Sequence, residues 1–563
     1  MADGTSVRRA GTGAAGGGLM LGYAEAKRLK SSNRRARWRD VVDELSTELW
    51  PQLSPTFRLR QGETVFTIGS CFARNIETNL AALGCKVPML DFRLPAEEFD
   101  GSPNSAMNRF HPPAFRQCLE WAARIHDRDG QVAWTDCERL AFDFGEDRWF
   151  DMDMAPTALA VPKVRFLERR QHIYDVFSSA FRADCLMMTP GMIEAWRDLE
   201  TGLYTYGPPY ERTMLRVPER WALEVLSYQR CLEDLLATID VVRARNPGVK
   251  VLITTSPVPL GTTFTGRDIT IANAHSKAVL RAVCDAVVLE RERVDYFPSY
   301  EMATLSNPER VWKADRLHVS QAFIGKIVGH MLDHYIDGVE AASADHQRAR
   351  ALLAGDDPTG AEALARRALG SKPDHVDAKL VLGVALLKQL RWVEAQQVLK
   401  EAAVDAPDRC DVRVQLARAL AGRRKVERAI AMLEGTIVHP AFTVFDFLAA
   451  DSVLRRASPD EAARLAARAV ERFPLHQEVH GRLAEALLRG GRKPEAIAAL
   501  RRVASLSHPP AGLLLELARL LLEAGETEEA AVHLKAALVE DPRNKEALKL
   551  RAELEAPTAA QRP

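Results

Sequence analysis

Gly69-Ser70-Cys71-Phe72-Ala73 follows a short apolar run, Thr64-Val65-Phe66-Thr67-Ile68, and precedes a helical pattern at 73–83. A nucleophile at such a strand-to-helix turn sits on the N-terminus of the helix. Unsatisfied N–H groups and the helix dipole there stabilise negative charge. The placement predicts a depressed thiol pKa at Cys71 and a backbone N–H for an oxyanion. Far along the chain stands Asp315-Arg316-Leu317-His318. The three-residue spacing lets the carboxylate hold one imidazole nitrogen and leaves the other as a general base. The two segments together hold the parts of an acyl-transfer site: Cys71 or Ser70 as nucleophile, His318 as base and then acid, and Asp315 as its orienting carboxylate.

Such parts need a scaffold that brings residues 70 and 318 together. Residues 60–335 alternate strand-like and helix-like stretches. The further strand-like runs are Cys185-Leu186-Met187-Met188, Lys250-Val251-Leu252-Ile253-Thr254-Thr255 and Val294-Asp295-Tyr296-Phe297. Each ends at a Pro-containing turn, and helical patterns at 73–83, 220–245 and 272–288 separate the runs. Short buried strands alternating with helices predict a parallel sheet covered on both faces. Ligands in such sheets bind beyond the carboxyl ends of the strands. The motifs fall there. Residues 1–18 are Gly-rich and low in apolar content, which predicts a disordered tail. Residues 19–59 predict a helical lead-in, with Trp38, Val41, Val42, Leu45 and Leu49 near a 3.6 period.

The remainder is repetitive. Prolines stand at 373, 407, 440, 474, 509 and 542, with gaps of 34, 33, 34, 35 and 33 residues. A small residue precedes each proline by about twelve positions: Ala361, Ala395, Ala429, Ala462, Ala496 and Ala530. A second set lies about one helix further back: Ala349, Gly383, Ala417, Ala450, Ala484 and Ala518. Small residues there let paired helices approach closely, and the proline ends each unit. This pattern resembles the tetratricopeptide repeat family over 342–544, with a capping helix to 556. The resemblance implies an all-α solenoid with a concave face for a protein partner.

The first motif also carries a resemblance. Gly69-Ser70-Cys71-Phe72-Ala73, continuing through Arg74-Asn75-Ile76-Glu77, is similar to the GSCFA family. So are Thr189-Pro190-Gly191-Met192-Ile193-Glu194-Ala195-Trp196, Ser256-Pro257-Val258-Pro259-Leu260, Asp295-Tyr296-Phe297-Pro298-Ser299-Tyr300-Glu301 and the Asp-x-x-His. That family resembles the SGNH/GDSL hydrolases. The resemblance implies a three-layer α/β flavodoxin-like domain over 60–335. It also implies ester hydrolysis or O-acyl transfer on carbohydrates, lipids or other acylated small molecules. Laid on Gly-Asp-Ser-Leu, the nucleophile falls on Cys71; a one-residue shift selects Ser70. A thiolate suits the helix N-terminus, so Cys71 is favoured and Ser70 stays open. The superfamily's oxyanion Asn falls on Ile193. The remaining oxyanion and substrate candidates are the first-turn backbone after Gly69, the Gly191 backbone, and the side chains of Asn104, Ser105 and Asn108. Glu194 and Trp196 line the cleft or pack at a helix start.

Composition narrows the rest. Lys plus Arg number 76 and Asp plus Glu number 76, so no global basic field points to nucleic acid. No apolar run is long enough to span a bilayer. Eight cysteines without a CxxC pair argue against a zinc site or disulfide scaffold and for a reducing cytoplasm. No metal or cofactor is expected. His111, His172 and His275 are expected on the surface or in loops. Asp143, Asp147, Asp151 and Asp153 are expected in a solvated insertion that forms part of a lid. The alternative to an enzyme is a catalytically inactive ligand-binding scaffold working through its repeats.

Overall fold

The computed structural model describes residues 21–99, 103–209, 214–506 and 509–555. The expected tail at 1–18 lies outside them. Four strands, β1 (Val65–Gly69), β2 (Cys185–Thr189), β3 (Lys250–Ile253) and β4 (Val294–Tyr296), form one sheet. They pair in the order β1-β2-β3-β4, every pair parallel. Lys86 adds a parallel bridge with Thr64 on the free side of β1. β1 and β2 are buried at every residue, because helices shield both faces and the runs carry no alternation.

Six helices surround the sheet: α1 (Cys71–Ala82), α2 (Pro112–His126), α3 (Lys163–Ser178), α4 (Tyr228–Arg243), α5 (Ile269–Glu290) and α6 (Gln321–Tyr335). α1 packs on α6; α2 packs on α3 and α4, and α4 packs on α5. Gly84 closes the end of α1 with φ +84°. Two short strands, Glu194–Asp198 and Trp221–Val225, pair antiparallel outside the main sheet. The helical pattern expected from 220 therefore begins only at Tyr228, and Glu194 and Trp196 stand on a strand rather than at a helix start.

The lead-in is broken, not one helix. Tyr23–Ser32 is helical with no buried residue, and Trp38 is exposed. Only its end docks: the Thr56 N–H donates to Asp295 Oδ2 at 2.7 Å, and Trp50 stacks on Phe323. The acidic insertion also departs from expectation. Asp151 and Asp153 are buried, because Arg109 donates to Asp153 at 2.8 Å and Arg170 pairs with both carboxylates. A charged pair survives burial only with such partners.

From Ala341 the described chain is helical. Six helix pairs run from Ala341–Ala354 to Thr527–Glu540, followed by Lys545–Glu555. Eleven of the twelve small repeat positions have 0 or 1% exposure, or are a glycine in close contact: a Cβ on Gly383 would lie 2.5 Å from Leu399 Cγ. The sixfold phase of the sequence is thus the inter-helix seam. Ala341–Ala354 itself packs on α6 and touches α1. Gln347 donates to Asn79 Oδ1 at 2.5 Å, and a Cβ on Gly325 of α6 would lie 2.6 Å from Ala351 Cβ.

Candidate functional site

The carboxyl ends of β1, β2 and β3 converge on Ser70. Gly69 ends β1 where the chain has no room for a side chain: a Cβ would overlap Thr189 Oγ1 and lie 2.8 Å from the Thr189 carbonyl oxygen. Ser70 caps α1, its Oγ accepting from the Phe72 N–H at 3.4 Å. The same hydroxyl donates to Ser256 Oγ at 3.0 Å, and Ser70 is buried. Gly191 lies against this pair; a Cβ there would sit 3.5 Å from Ser70 Cβ and 3.6 Å from Ser256 Cβ. Cys71, the first residue of α1, is partly exposed, whereas the other seven cysteines are buried.

The expected depression of the Cys71 thiol is outweighed. Burial pushes its pKa up; Lys277, the Cys71 and Phe72 backbone N–H groups and Arg74 pull it down, and burial wins. The helix N-terminus acts as foreseen, but the thiol is less hydrated than an exposed turn would leave it.

The oxyanion candidates separate. The Gly191 N–H is spent on the Phe110 carbonyl at 2.8 Å, so it is not a free donor. Asn108 is buried and donates from Nδ2 to Tyr206 Oη at 3.3 Å, while its Oδ1 has no hydrogen-bond partner. Ser105 reaches the same group through its carbonyl, which accepts from Tyr206 Oη at 3.3 Å. Asn104 stands in the short helix Pro103–Met107, and its side chain lies outside the described residues. Glu194 is committed elsewhere: it accepts from Thr263 Oγ1 at 2.6 Å and from the Phe264 N–H at 3.1 Å. It pins the loop after β3.

Asp315 and His318 form the expected pair, with 2.8 Å between Oδ2 and Nδ1. Asp315 Oδ1 also accepts from the Leu317 and His318 N–H groups at 2.9 and 3.0 Å. These bonds, the His318 N–H first, hold the carboxyl well below the usual carboxylate range. The turn is tight: Arg316 has φ +55°, and Trp312 bridges Val319. α6 starts just beyond it, and Gln321 donates to Asn75 Oδ1 at 2.8 Å, one turn past Cys71. Among the described residues no hydrogen bond joins His318 to Cys71 or Ser70. Both members of the Asp315–His318 pair are about half exposed, at 47 and 46%.

Two residues that pattern reasoning missed stand beside the motif. Lys277 of α5 is buried, and its Nζ donates to the carbonyls of Gly191, Ser256 and Val258 at 2.6, 2.9 and 2.6 Å. Burial pulls its pKa down to about 7. Arg74 of α1 is buried too. Arg74 lies inside the GSCFA-like stretch but carried no role there, and Lys277, a cation on an otherwise ordinary helix, had no sequence signal. His111 is corrected as well. It is buried, caps α2 through Nδ1 to the Ala114 N–H at 3.3 Å, and burial lowers its pKa to about 3. His275 is exposed and His172 is half-buried. No helix among the described residues is long and apolar enough to cross a membrane.

The GSCFA family model matches residues 64–331. Tetratricopeptide repeat models match 352–410, 447–508 and 515–557. No curated protein matches the chain. Among solved structures, PilF of Pseudomonas aeruginosa is 18% identical, covering 38% of this chain and 97% of its own, with TM-score 0.28. PilW, a type IV pilus biogenesis factor, is 18% identical over 38% of this chain and 100% of its own, with TM-score 0.30. A tetratricopeptide repeat protein from Parabacteroides merdae is 15% identical over 42% of this chain and 90% of its own, with TM-score 0.28.

Proposed function

The chain carries a GSCFA family domain followed by tetratricopeptide repeats suited to protein–protein interaction, and from that premise we propose an acyl-ester hydrolase or O-acyltransferase of SGNH type. Its substrate is an acylated carbohydrate or other small acylated molecule, and the repeats hold a protein partner. Counting Lys86 as a vestigial second strand, the sheet runs 2-1-3-4-5 in chain order. That order supports a flavodoxin-like reading, which would put the switch point beside the first strand. Cys71 stands there.

The observation that carries the reading is the Asp315–His318 pair entering at the edge where Cys71 stands, tied by the Gln321–Asn75 bond. Cys71 is the preferred nucleophile, because the Ser70 hydroxyl is buried and its proton is given to Ser256. The reaction requires His318 Nε2 at Sγ, and catalytic hydrogen bonds are often long before substrate binds. His318 takes the thiol proton and Sγ attacks the acyl carbonyl. The ester C–O bond breaks, and His318 returns the proton to the leaving alcohol. Water or an acceptor hydroxyl then attacks the thioester, with His318 again as base, and frees the thiol. Of the first-turn N–H groups, Phe72 and Ala73 already donate to Ser70, so the Cys71 N–H receives the oxyanion. Eight cysteines without a CxxC pair support a cytoplasmic setting.

Turnover of p-nitrophenyl acetate by wild type, Cys71→Ala, Ser70→Ala and His318→Ala tests this. Loss of about a hundredfold or more in Cys71→Ala and His318→Ala, with Ser70→Ala active, is the expected result. Equal rates in all four sink it. A second reading, a ligand-binding scaffold without turnover, is favoured by one observation: His318 makes no bond to Cys71, whose thiol is raised rather than lowered.

A further inference from the structure

Two cations from different elements meet at Cys71. Lys277 is 1% exposed, with three ammonium donors on three carbonyls. It has no carboxylate partner within ion-pair distance among the described residues. Arg74 is 7% exposed and lies one helical turn past Cys71, on the same side of α1. Its Nη1 is 3.0 Å from Glu77 Oε1, so part of its charge is balanced. Yet the alignment is poor, and Nε, Nη1 and Nη2 all lack a hydrogen-bond acceptor. Glu77 already accepts from the Thr67 hydroxyl. The first turn of α1 contains no acid. Both cations draw the Cys71 thiol toward its charged form.

A buried guanidinium with open donors is costly unless an acceptor arrives. The Asp153 carboxylate is not that acceptor, because Arg109 and Arg170 hold it. With Glu77 set against Arg74, the remaining cation is Lys277, whose charged form burial opposes and an arriving monoanion favours. A planar guanidinium fork matches a carboxylate. We propose that the site beside Cys71 takes a substrate group bearing a carboxylate, which completes the Arg74 guanidinium at the N-terminal turn of α1 while the buried Lys277 ammonium, held on three carbonyls, supplies the balancing charge. The inference rests on the Cys71 site of the proposed function. It names the chemistry of what enters that site.

The test uses the full chain and two alkylating reagents of the same shape, iodoacetate and iodoacetamide, with the modified peptide identified by mass. In the folded protein the iodoacetate-to-iodoacetamide rate ratio at Cys71 is expected to exceed that of the urea-unfolded chain by about tenfold. Arg74→Gln removes most of this preference and Arg74→Lys keeps part of it. Sodium acetate is expected to slow iodoacetamide at Cys71, with acetamide having no effect and inorganic phosphate protecting less. The wild-type ratio and the protection decide the matter even if Arg74→Gln does not fold. Equal ratios in folded and unfolded chains, equal protection by acetate and acetamide, or no labelling of Cys71 by either reagent overturns the proposal. Charge preference without p-nitrophenyl acetate turnover removes acyl transfer alone; turnover without charge preference removes the carboxylate site alone.

Discussion

The α/β domain and the helical array bury different things. Arg109, Arg169, Arg170 and Lys277 are among the largest fully buried side chains, and all four belong to the α/β domain. The array closes on alanine: Ala361, Ala395, Ala429, Ala496 and Ala530 have no exposure. Its charges pair across the surface, as Arg501 does with Glu526 and Glu529. The domain depends on contacts between residues far apart in sequence, such as Thr56 with Asp295. The array depends on neighbours about 34 residues away. A region that builds a site keeps charge inside and fixes it with long-range partners. A region that builds a surface keeps most of its charge outside, with Asp345 and Asp446 as buried exceptions, and can repeat itself.

The sharpest way to break this contrast is with one added methyl group in each region. Gly69→Ala drives a Cβ into the Thr189 backbone and side chain. A loss above about 4 kcal/mol is expected in urea titration, or no folded domain at all. Gly383→Ala meets the Leu399 side chain at Cγ and Cδ2, 2.5 Å away, with no backbone among its nearest atoms. Repacking limits that cost to about 1–3 kcal/mol, with hydrogen-exchange changes confined to adjacent repeats. Equal losses would erase the distinction.

Charge deletion is expected to have the next largest effect. Arg170→Met strands buried Asp151 and leaves Asp153 to Arg109 alone, at about 3–5 kcal/mol. Arg501→Ala removes a half-exposed surface network and is expected to cost about 1 kcal/mol or less. Denaturation midpoints at low and high salt separate the two, because only the second is screened.

At neutral pH the smallest effect is that of His111, which shows only as a slope in acid. His111 titrates near 6.5 when unfolded and about 3 when folded. Below 6.5 the unfolded chain binds a proton that the folded chain refuses. Stability is therefore full above 6.5 and falls toward pH 3, by up to about 1.4 kcal/mol per pH unit from this group. His111→Asn keeps a capping acceptor without the titration. A flatter acid limb in thermal melts of this variant is the expected result; an unchanged limb shows that the histidine does not couple to folding.

The same contrast explains what the sequence made legible. All four strands of the sheet were readable within two residues, because each is an apolar run stopped by Gly or Pro. The repeat phase was readable because close helix packing demands a small residue at a fixed interval. The Asp315–His318 pair was readable because its two members are local. Trp221–Val225 was not: its partner strand, Glu194–Asp198, lies more than twenty residues earlier and neither run is strongly apolar. Asp151 and Asp153 read as solvated because their partners, Arg109 and Arg170, are remote in sequence. Lys277 was invisible for the same reason, since its three acceptors are backbone atoms from two distant turns.

Ala341–Ala354 belongs to both regions at once. It is the first helix of the array, yet Gln347 reaches Asn79 on the helix that begins at Cys71, and Ala351 fills the notch at Gly325. Arg348 also pairs with Asp333 at 3.1 Å. The junction is a shared wall, not a tether. Under the proposed function, a protein partner on the repeats would be held at a fixed bearing from the thiol, and the array would act as a jig that sets which part of it faces Cys71.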